Sequence, residues 1–431
     1  MKVCVYGLWH LGSVTAASLA SLGHEVVGLD HDRANIAALA RGVPPVAEPG
    51  LDDLVRAGID RSTLRFTTDP ADALTDAELL WITFDTPVDD NDKADVDFVL
   101  DATEQVFPFL RDDALVLVSS QLPVGSVSEL EQRLSRVRPG CGVSFGSSPE
   151  NLRLGRALDA FLHPARIVVG VRDPEDRARV TALLHEIPAT IEWMSVESAE
   201  MVKHAVNSFL ATSIAFTNEV ATICERVGAD AREVERGLRS EPRIGPRAYV
   251  GAGSAYSGGT LARDVAFLTE LGRTHGVPTA LLSGARSSND DHQHWAERRL
   301  ALELGEIRGL RIAVLGLTYK PGTDTLRRSG AVRLCETLAE LGAIVCAHDP
   351  AIATLPDALA GVMEYTTSPL RALAGCDAAV VATEWPEFKS LRAEEVAEVM
   401  KEAVVIDPNA FLEDSLGASA LIRYRSVGMP T

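Results

Sequence analysis

The sequence has 431 residues, of which 46% are hydrophobic and 24% are charged, and its formal net charge is -20 at pH 7. This length exceeds what one hydrophobic core usually fills, so we expect two or three domains. The composition is that of a folded globular protein and excludes a disordered or fibrous chain. The negative charge, with no run of lysine or arginine to offset it, excludes nucleic acid as a partner.

The N-terminal segment, MKVCVYGLWHLG, turns into a glycine-containing loop too early for a secretory signal, and no apolar run reaches the length of a membrane span. We therefore expect a cytoplasmic protein with no membrane partner. The cysteines lack CxxC spacing and lie mostly in apolar stretches, which favours buried, reduced thiols over disulfides or a metal site. They are Cys4, Cys141, Cys224, Cys335, Cys346 and Cys376.

The first thirty residues predict a dinucleotide-binding unit. Residues 2–7 (KVCVYG) have the pattern of a buried strand, residues 13–22 that of a helix rich in small residues, and residues 24–30 that of a second strand ending on Asp30. A strand, a glycine turn, a helix and a strand with a terminal acid follow in the order such a unit requires. Further strands at 79–84, 114–119 and 166–171, with helical stretches between them, predict a parallel sheet covered on both faces.

The middle of the chain has a different pattern. Residues 198–228 carry apolar side chains at helical spacing without a breaker, which predicts a long helix suited to a central connector or a dimer interface. A polar, glycine-rich stretch follows from 240 to 259, and another helix is expected from about 264 to 275.

Near Gly309 the strand-and-loop order begins again, with a second strand that ends on Asp349 and further strands at 377–383 and 403–407. We therefore predict an α/β protein with two Rossmann-like doubly wound domains joined by a long central helical region. The predicted boundaries are 1–197, 198–295 and 296–431.

The turn at residues 7–12 (GLWHLG) occupies the position where a dinucleotide fold places GxGxxG. Its first and third glycines, Gly7 and Gly12, are present, whereas Trp9 replaces the second, which normally allows close approach of the pyrophosphate. A purely structural turn is the alternative. Asp30, near the spacing expected of a ribose-binding acid, favours the cofactor site and favours NAD over NADP.

Several further motifs follow along the chain. They are 48–51 (EPGL), 86–87 (TP), 120–125 (SQLPVG), 148–150 (SPE), 164–166 (PAR), 200–207 (EMVKHAVN), 243–245 (RIG), 258–264 (GGTLARD) and 316–327 (GLTYKPGTDTLR). With these motifs, which occur in the same order, the chain resembles the UDP-glucose/GDP-mannose dehydrogenase family from residue 2 to about residue 428.

The resemblance implies an NAD-binding domain, a central helical dimerisation region and a nucleotide-sugar-binding domain. It also implies a four-electron oxidation of a sugar primary alcohol to a carboxylate in two steps. We expect NAD as cofactor, a nucleotide sugar, with a UDP-sugar favoured, as substrate, and a homodimer formed through the central helix.

The resemblance also assigns residues. Lys203 and Asn207, one helical turn apart, would polarise the alcohol oxygen and hold an ordered water, and Asp264 would act as base through that water. Glu150 would assist hydrolysis of an acyl-enzyme, and Arg243 would reach across the dimer.

The residues that the resemblance assigns to the cofactor are Gly7, Leu11, Gly12, Asp30, Thr86, Pro87, Ser120 and Arg327. The substrate set is Glu150, Leu152, Lys203, Asn207, Arg243, Tyr256, Gly258 and Lys320. The alternatives are a surface salt-bridging lysine for Lys203 and a solvated loop acid for Glu150.

The chain departs from the family pattern at the reacting end of the sugar. Thr260 stands where the family keeps its catalytic cysteine, and a threonine hydroxyl is a far poorer nucleophile unless a base lies beside it. Gln121 replaces a threonine, Asn151 an aromatic residue and Leu154 a second glutamate. In the last domain, residues 407–409 (DPN) lack the arginine that the family often has there. The hydride-transfer set is retained, while the acylation machinery is depleted.

Three functions remain open from the sequence. The first is an NAD-dependent oxidoreductase on a nucleotide sugar, which either releases a two-electron product or completes the oxidation through an aldehyde hydrate. The second is a redox-neutral epimerase that uses retained NAD. The third is a catalytically silent nucleotide-sugar-binding protein.

Overall fold

A computed structural model of the chain describes residues 1–88, 94–150, 152–256 and 259–430. The chain divides into two compact units, Met1–Val206 and Asn207–Thr431. The division falls within one long helix, α9 (Val196–Val227), whose 32 residues match the helix predicted at 198–228. The three domain boundaries drawn from the sequence stay predictions.

The N-terminal unit is built on a sheet whose central strands are fully buried. This burial explains the continuous apolar runs LLWI and LVLV, since parallel strands covered by helices on both faces need no polar side. Its strands are β1 (Lys2–Tyr6), β2 (Glu25–Leu29), β3 (Leu64–Thr67), β4 (Leu79–Ile82), β5 (Leu115–Val118), β6 (Ser144–Ser147), β7 (Arg166–Val171) and β8 (Thr190–Met194). Its helices before α9 are α1 (His10–Ser21), α2 (Arg33–Leu39), α3 (Leu51–Asp60), α4 (Pro70–Leu74), α5 (Val96–Val106), α6 (Ser126–Val137), α7 (Ala157–Leu162) and α8 (Pro174–Leu184).

The strand order of this sheet is β3-β2-β1-β4-β5-β6-β7-β8. All pairings are parallel except that of β6 with β7, where Gly146 lies opposite Val171. The predicted doubly wound fold is thus confirmed, with one antiparallel pairing that the sequence did not reveal. The order reverses between β1 and β4, so their carboxyl ends border the crevice in which such sheets bind ligands.

The C-terminal unit contains a second sheet with the order β11-β10-β9-β12-β13-β14, and all its pairings are parallel. Its strands are β9 (Arg311–Leu315), β10 (Ile344–His348), β11 (Glu364–Tyr365), β12 (Ala378–Val381), β13 (Val404–Ile406) and β14 (Arg423–Arg425). Its helices after α9 are α10 (Ala231–Ser240), α11 (Gly259–Thr274), α12 (Ala280–His292), α13 (Trp295–Leu304), α14 (Gly330–Glu340), α15 (Pro369–Leu373) and α16 (Ala393–Val399).

Asp349 follows β10 at the place where Asp30 follows β2. Its Oδ2 accepts hydrogen bonds from the backbone N–H groups of Leu317 (2.6 Å) and Thr318 (2.9 Å) and from Nε1 of Trp385 (3.0 Å). The carboxylate is buried. It therefore fastens the turn after β9 to the turn after β10.

Helix α11 begins at Gly259, five residues before the start expected from the sequence. The sequence pattern places residue 259 at the end of a polar, glycine-rich stretch. However, the N–H groups of a first helical turn have no intrahelical partner in any case, so glycine is tolerated there. Within the described ranges, no helix is both long and apolar enough to cross a membrane.

The loop that precedes α11 is fastened by side chains of α9 and α12. Nε2 of His292 donates to the carbonyl oxygen of Gly253 at 2.9 Å, and Oδ1 of Asn218 accepts from the N–H of Gly253 at 3.0 Å. Asn289 makes two bonds with the backbone of Tyr256, at 2.9 and 3.0 Å. The path of this loop is thus fixed by buried polar contacts.

His292 makes the stability of this loop sensitive to pH. Burial lowers the pKa of His292 below its ordinary value of 6.5, so the imidazole stays neutral in the folded chain. As the pH falls below that ordinary value, the unfolded chain binds a proton that the folded chain does not, and the free energy of unfolding decreases. His292→Gln keeps a donor for Gly253 and does not titrate. The melting temperature of the wild type should therefore fall more than that of the variant between about pH 7.5 and about pH 5.5.

Differential scanning calorimetry of both proteins across this range checks the expectation. His163→Gln, at an exposed histidine, is the control and should follow the wild type. Equal slopes for the wild type and His292→Gln would show that His292 does not contribute.

Candidate active site

The turn between β1 and α1 requires glycine at two positions. Gly7 has φ +95°, and a Cβ there would lie 2.7 Å from the ring of Phe84. A Cβ on Gly12 would lie 1.9 Å from the carbonyl oxygen of Gly7. Strand, turn and helix therefore pack too closely for any side chain, as in a dinucleotide-binding turn.

Asp30 lies at the end of β2 and is buried. Its Oδ2 accepts from the N–H of Leu8 at 2.6 Å, and its Oδ1 accepts from the N–H of Asp32 at 2.9 Å. Each carboxylate oxygen can accept a further bond, which suits the two hydroxyls of a ribose. A negative charge here disfavours a 2′-phosphate, so the turn and this acid fit NAD.

Trp9 occupies the second glycine position without strain. Its φ of -85° is open to any L-residue, and its side chain is 53% exposed at the start of α1. The fold therefore does not require glycine at this position.

The other predicted cofactor residues of the N-terminal unit surround the ends of β4 and β5. Thr86 Oγ1 donates to the carbonyl oxygen of Gln121 at 2.8 Å, which links the two loops. Pro87 is exposed. Ser120 is buried, and its hydroxyl has no hydrogen-bond partner among the described residues, so it is available to a ligand.

Lys203 and Glu150 meet in a cleft of the N-terminal unit. Lys203 Nζ donates to the backbone carbonyl of Glu150 at 2.7 Å and lies 3.3 Å from its Oε1, while the N–H of Leu152 donates to Oε2 at 2.5 Å. Ser120 and Gln121 line the same cleft. The lysine is mostly buried, so the alternative of a surface salt-bridging lysine does not describe it.

Two neighbours of Lys203 on α9 fasten the loop that follows β5. Glu200 accepts from the N–H groups of Gly125 (2.7 Å) and Val127 (2.9 Å) and so caps α6. Burial raises the pKa of Glu200, because removal from water outweighs these two bonds. His204 Nε2 donates to the carbonyl oxygen of Leu122 at 2.9 Å. Our sequence reasoning missed both roles, although Glu200 and His204 lie within the EMVKHAVN motif.

In the C-terminal unit, Asn207 Nδ2 donates to Oδ2 of Asp264, and both side chains are buried. Thr260 lies one turn before Asp264 in α11 and is exposed. The predicted base is thus held by the predicted amide, whereas Thr260, at the predicted nucleophile position, presents only a hydroxyl.

The six cysteines lie away from the Lys203 cleft and from α11. Five of them are buried, and Cys141 is half-buried beside the core that α5 and α6 cover. Burial raises the pKa of Cys4 and Cys335 above the ordinary value, which suppresses the reactive thiolate. No cysteine lies in α11 or among the residues that line the Lys203 cleft.

The remaining predicted substrate residues, and Arg327 of the predicted cofactor set, have varied surroundings. Arg243 is exposed and pairs with Glu241, with Nε 2.7 Å from Oε1. Tyr256 is buried, its hydroxyl has no partner among the described residues, and burial raises its pKa to about 12. Lys320 and Arg327 lie in the segment between β9 and α14, where Arg327 is exposed. Gly258 and Asn151 lie outside the described residues.

Three models of the UDP-glucose/GDP-mannose dehydrogenase family match the chain in order. They are the NAD binding domain at residues 1–188, the central domain at 197–291 and the UDP binding domain at 313–414. The NAD binding domain confirms NAD as the cofactor, and the UDP binding domain agrees with a nucleotide-sugar substrate.

Similar proteins cover the whole chain. The UDP-glucose 6-dehydrogenase of Rhizobium meliloti is 34% identical over 438 residues, with 100% of both chains covered. The UDP-glucose 6-dehydrogenase TuaD of Bacillus subtilis is 33% identical, covering 100% of this chain and 93% of its own. The UDP-glucose dehydrogenase structure from Pyrobaculum islandicum superposes with a TM-score of 0.86 at 30% identity, covering 99% of this chain and 97% of its own.

The glycine turn with its acid, the order of the three domain models and the full-length similarity all agree. The chain belongs to the UDP-glucose/GDP-mannose dehydrogenase family, whose members are NAD-dependent nucleotide-sugar dehydrogenases.

Proposed function

We propose that this chain oxidises the primary alcohol of a UDP-glucose-like sugar with NAD and stops after one hydride transfer. The names of the relatives from Rhizobium meliloti and Bacillus subtilis support a glucose-like sugar, and the match to the UDP binding domain supports UDP as the nucleotide part of the substrate. As expected from the sequence, we place the activity in the cytoplasm.

In the proposed step, Lys203 and Asn207 hold the alcohol oxygen and the water beside it. Asp264 accepts the hydroxyl proton through that water while the C–H bond breaks. NAD, when bound, accepts the hydride. The alcohol loses one hydride and one proton, so the products are an aldehyde and NADH. The bond from Asn207 to Asp264 keeps the base oriented in its buried position.

The observation that carries the proposal is the exposed Thr260 at the nucleophile position. A second oxidation through a covalent intermediate requires a thiolate, and a threonine hydroxyl ionises far less readily. The next acid in α11, Asp264, is buried and already bonded to Asn207. Without a nucleophile the aldehyde has no covalent route to the carboxylate.

The stoichiometry of NADH tests this proposal. The wild-type chain, incubated with NAD and UDP-glucose or a related UDP-sugar, should form one NADH per sugar consumed and an aldehyde product. Thr260→Cys, which supplies a thiol at the same place, should raise the ratio towards two. Absorbance of NADH with mass spectrometry of the sugar product measures both quantities.

Thr260→Ser, which keeps a hydroxyl, is the matched control and should still form one NADH per sugar consumed. Two NADH per sugar from the wild type would contradict the proposal and indicate oxidation through an aldehyde hydrate. Conversion of the sugar without net NADH would instead support the redox-neutral epimerase. Binding without any conversion would support the silent binding protein.

We also propose that α9 pairs with α9 of a second copy. Phe209, Phe216 and Ile223 recur every seven residues along this helix and are 70%, 50% and 60% exposed. Seven residues make about two helical turns, so the three side chains form one apolar stripe. An apolar stripe of this kind is usually covered by a partner, and a homodimer would bury the stripe against its own copy.

Phe216→Glu places a charge in the middle of this stripe and should convert the dimer into a monomer, because pairing would bury two unpaired carboxylates. Size-exclusion chromatography with light scattering measures the mass. Leu421→Glu, at another exposed apolar residue, is the control and should stay dimeric. A monomeric wild type, or a variant of unchanged mass, would contradict the interface.

A further inference from the structure

Glu48 is a buried carboxylate surrounded by three hydrogen-bond donors. Its Oε1 accepts from the N–H of Ala157 at 2.7 Å, and its Oε2 accepts from the N–H of Gly155 at 2.8 Å. The third donor is the imidazole of His10, whose Nε2 lies 3.1 Å from Oε2, because an ionised carboxylate only accepts. The side chain of Glu48 is 1% exposed and that of His10 is 16% exposed. Among the described residues, His10 is the one side chain that bonds to Glu48.

His10 is the first residue of α1 and belongs to the glycine turn that fits NAD. The first N–H groups of a helix have no intrahelical partner and carry a partial positive charge, which attracts the phosphates of a dinucleotide. A cofactor bound at this turn therefore restrains the backbone that carries His10.

The two backbone partners of Glu48, Gly155 and Ala157, belong to the segment of residues 152–157 that leads into α7. This segment begins beside the Lys203 cleft, where the N–H of Leu152 donates to Oε2 of Glu150 at 2.5 Å. The two bonds to Glu48 fix the point at which the segment turns into α7. The path of the chain next to Glu150 therefore depends on the position of the Glu48 carboxylate.

Helix α1 and this segment also line one cavity of about 80 Å³. Leu11 and Thr15 of α1 contribute to its wall, and so do Glu150, Leu152 and Phe161. A shift of the segment relative to α1 would change the shape of this cavity and the place of Glu150 in its wall. The glycine turn and the surroundings of Glu150 are thus joined by a bonded path and by a shared cavity.

We propose that His10 is a positioning residue that couples occupancy of the NAD site to the order of residues 152–157. When NAD restrains the turn, the imidazole is held in place, and with it the Glu48 carboxylate and its two N–H partners. Order imposed at one end of such a path lowers the entropy cost of order at the other end. A sugar that binds beside Glu150 then meets a segment already in place, so NAD and the sugar bind cooperatively. The inference rests on the proposed function in one respect, that the Lys203 cleft is the sugar site.

Hydrogen exchange measured by mass spectrometry on the full-length protein, with and without NAD, tests the coupling. NAD is added at a concentration that saturates each protein, as determined by isothermal titration calorimetry. In the wild type, NAD should slow the exchange of residues 152–157 about tenfold, the scale of one hydrogen bond to a charged group. His10→Leu removes the donor and should reduce this effect to less than about twofold. His10→Gln carries an N–H donor on its side-chain amide and should restore most of the effect.

Two controls separate this path from a general loosening of the N-terminal unit. His185→Leu removes an exposed histidine whose Nε2 lies 2.8 Å from Oε1 of Glu186, and it should respond to NAD as the wild type does. The start of α6 is capped by Glu200 and not by Glu48. Its exchange should therefore be the same in the wild type and in His10→Leu.

A wild-type chain in which residues 152–157 exchange equally fast with and without NAD would overturn the coupling, and this result needs no variant. A folded His10→Leu protein that kept the full effect of NAD would overturn it as well, and so would a His10→Gln protein that lost the effect entirely. The exchange experiment uses NAD alone. A failure of UDP-sugars to bind in the calorimeter would therefore contradict the proposed function, while a slowing by NAD that depends on His10 would still support the coupling.

Discussion

The continuous backbone of α9 is the constraint on which both candidate half-sites depend. Lys203 and Asn207 are four residues apart in this one helix, so the same element carries a residue of each pair. The residues of the helix up to Val206, among them Glu200, Lys203 and His204, belong to the N-terminal unit, and those from Asn207 onwards belong to the C-terminal unit. A break in this helix would disturb both pairs of site residues at once.

The residues predicted for proton transfer and the residue at the predicted nucleophile position differ in burial and in hydrogen bonding. The residues predicted to handle a proton are buried and paired, as Lys203 with Glu150 and Asn207 with Asp264. The position predicted for the nucleophile carries the exposed Thr260. This contrast supports the proposed single hydride transfer.

The apolar pattern predicts the central strands of the fold well. The predicted strand at 166–171 matches β7, and the long helix ends within one residue of its predicted end. The strands β3, β6 and β8 were not predicted, because they are short and mix exposed or polar residues with apolar ones. The antiparallel pairing of β6 with β7 depends on tertiary packing, which no local pattern records.

In the candidate site too, residues close in sequence could be predicted, whereas contacts between residues distant in sequence could not. Gly7, Gly12 and Asp30 are close in sequence, so their spacing alone predicts the cofactor turn. Glu48 was noticed only as part of a motif, yet it accepts from the N–H of Ala157, 109 residues away, at 2.7 Å and caps α7. Asp85 Oδ2 lies 3.5 Å from the backbone nitrogen of Leu11, 74 residues earlier in the chain, and a sequence pattern cannot show such a contact.

Asp30 and Asp349 occupy equivalent places in the two sheets, but their surroundings give them different capacities. Oδ2 of Asp349 already receives four hydrogen bonds, from the N–H groups of Leu317 and Thr318, the Thr318 hydroxyl and Nε1 of Trp385, and has no lone pair left for a ribose hydroxyl. Asp30 keeps that capacity. The acid of the first sheet is therefore the more open of the two to a ribose diol, whereas the acid of the second sheet serves to fasten the turns of its own domain.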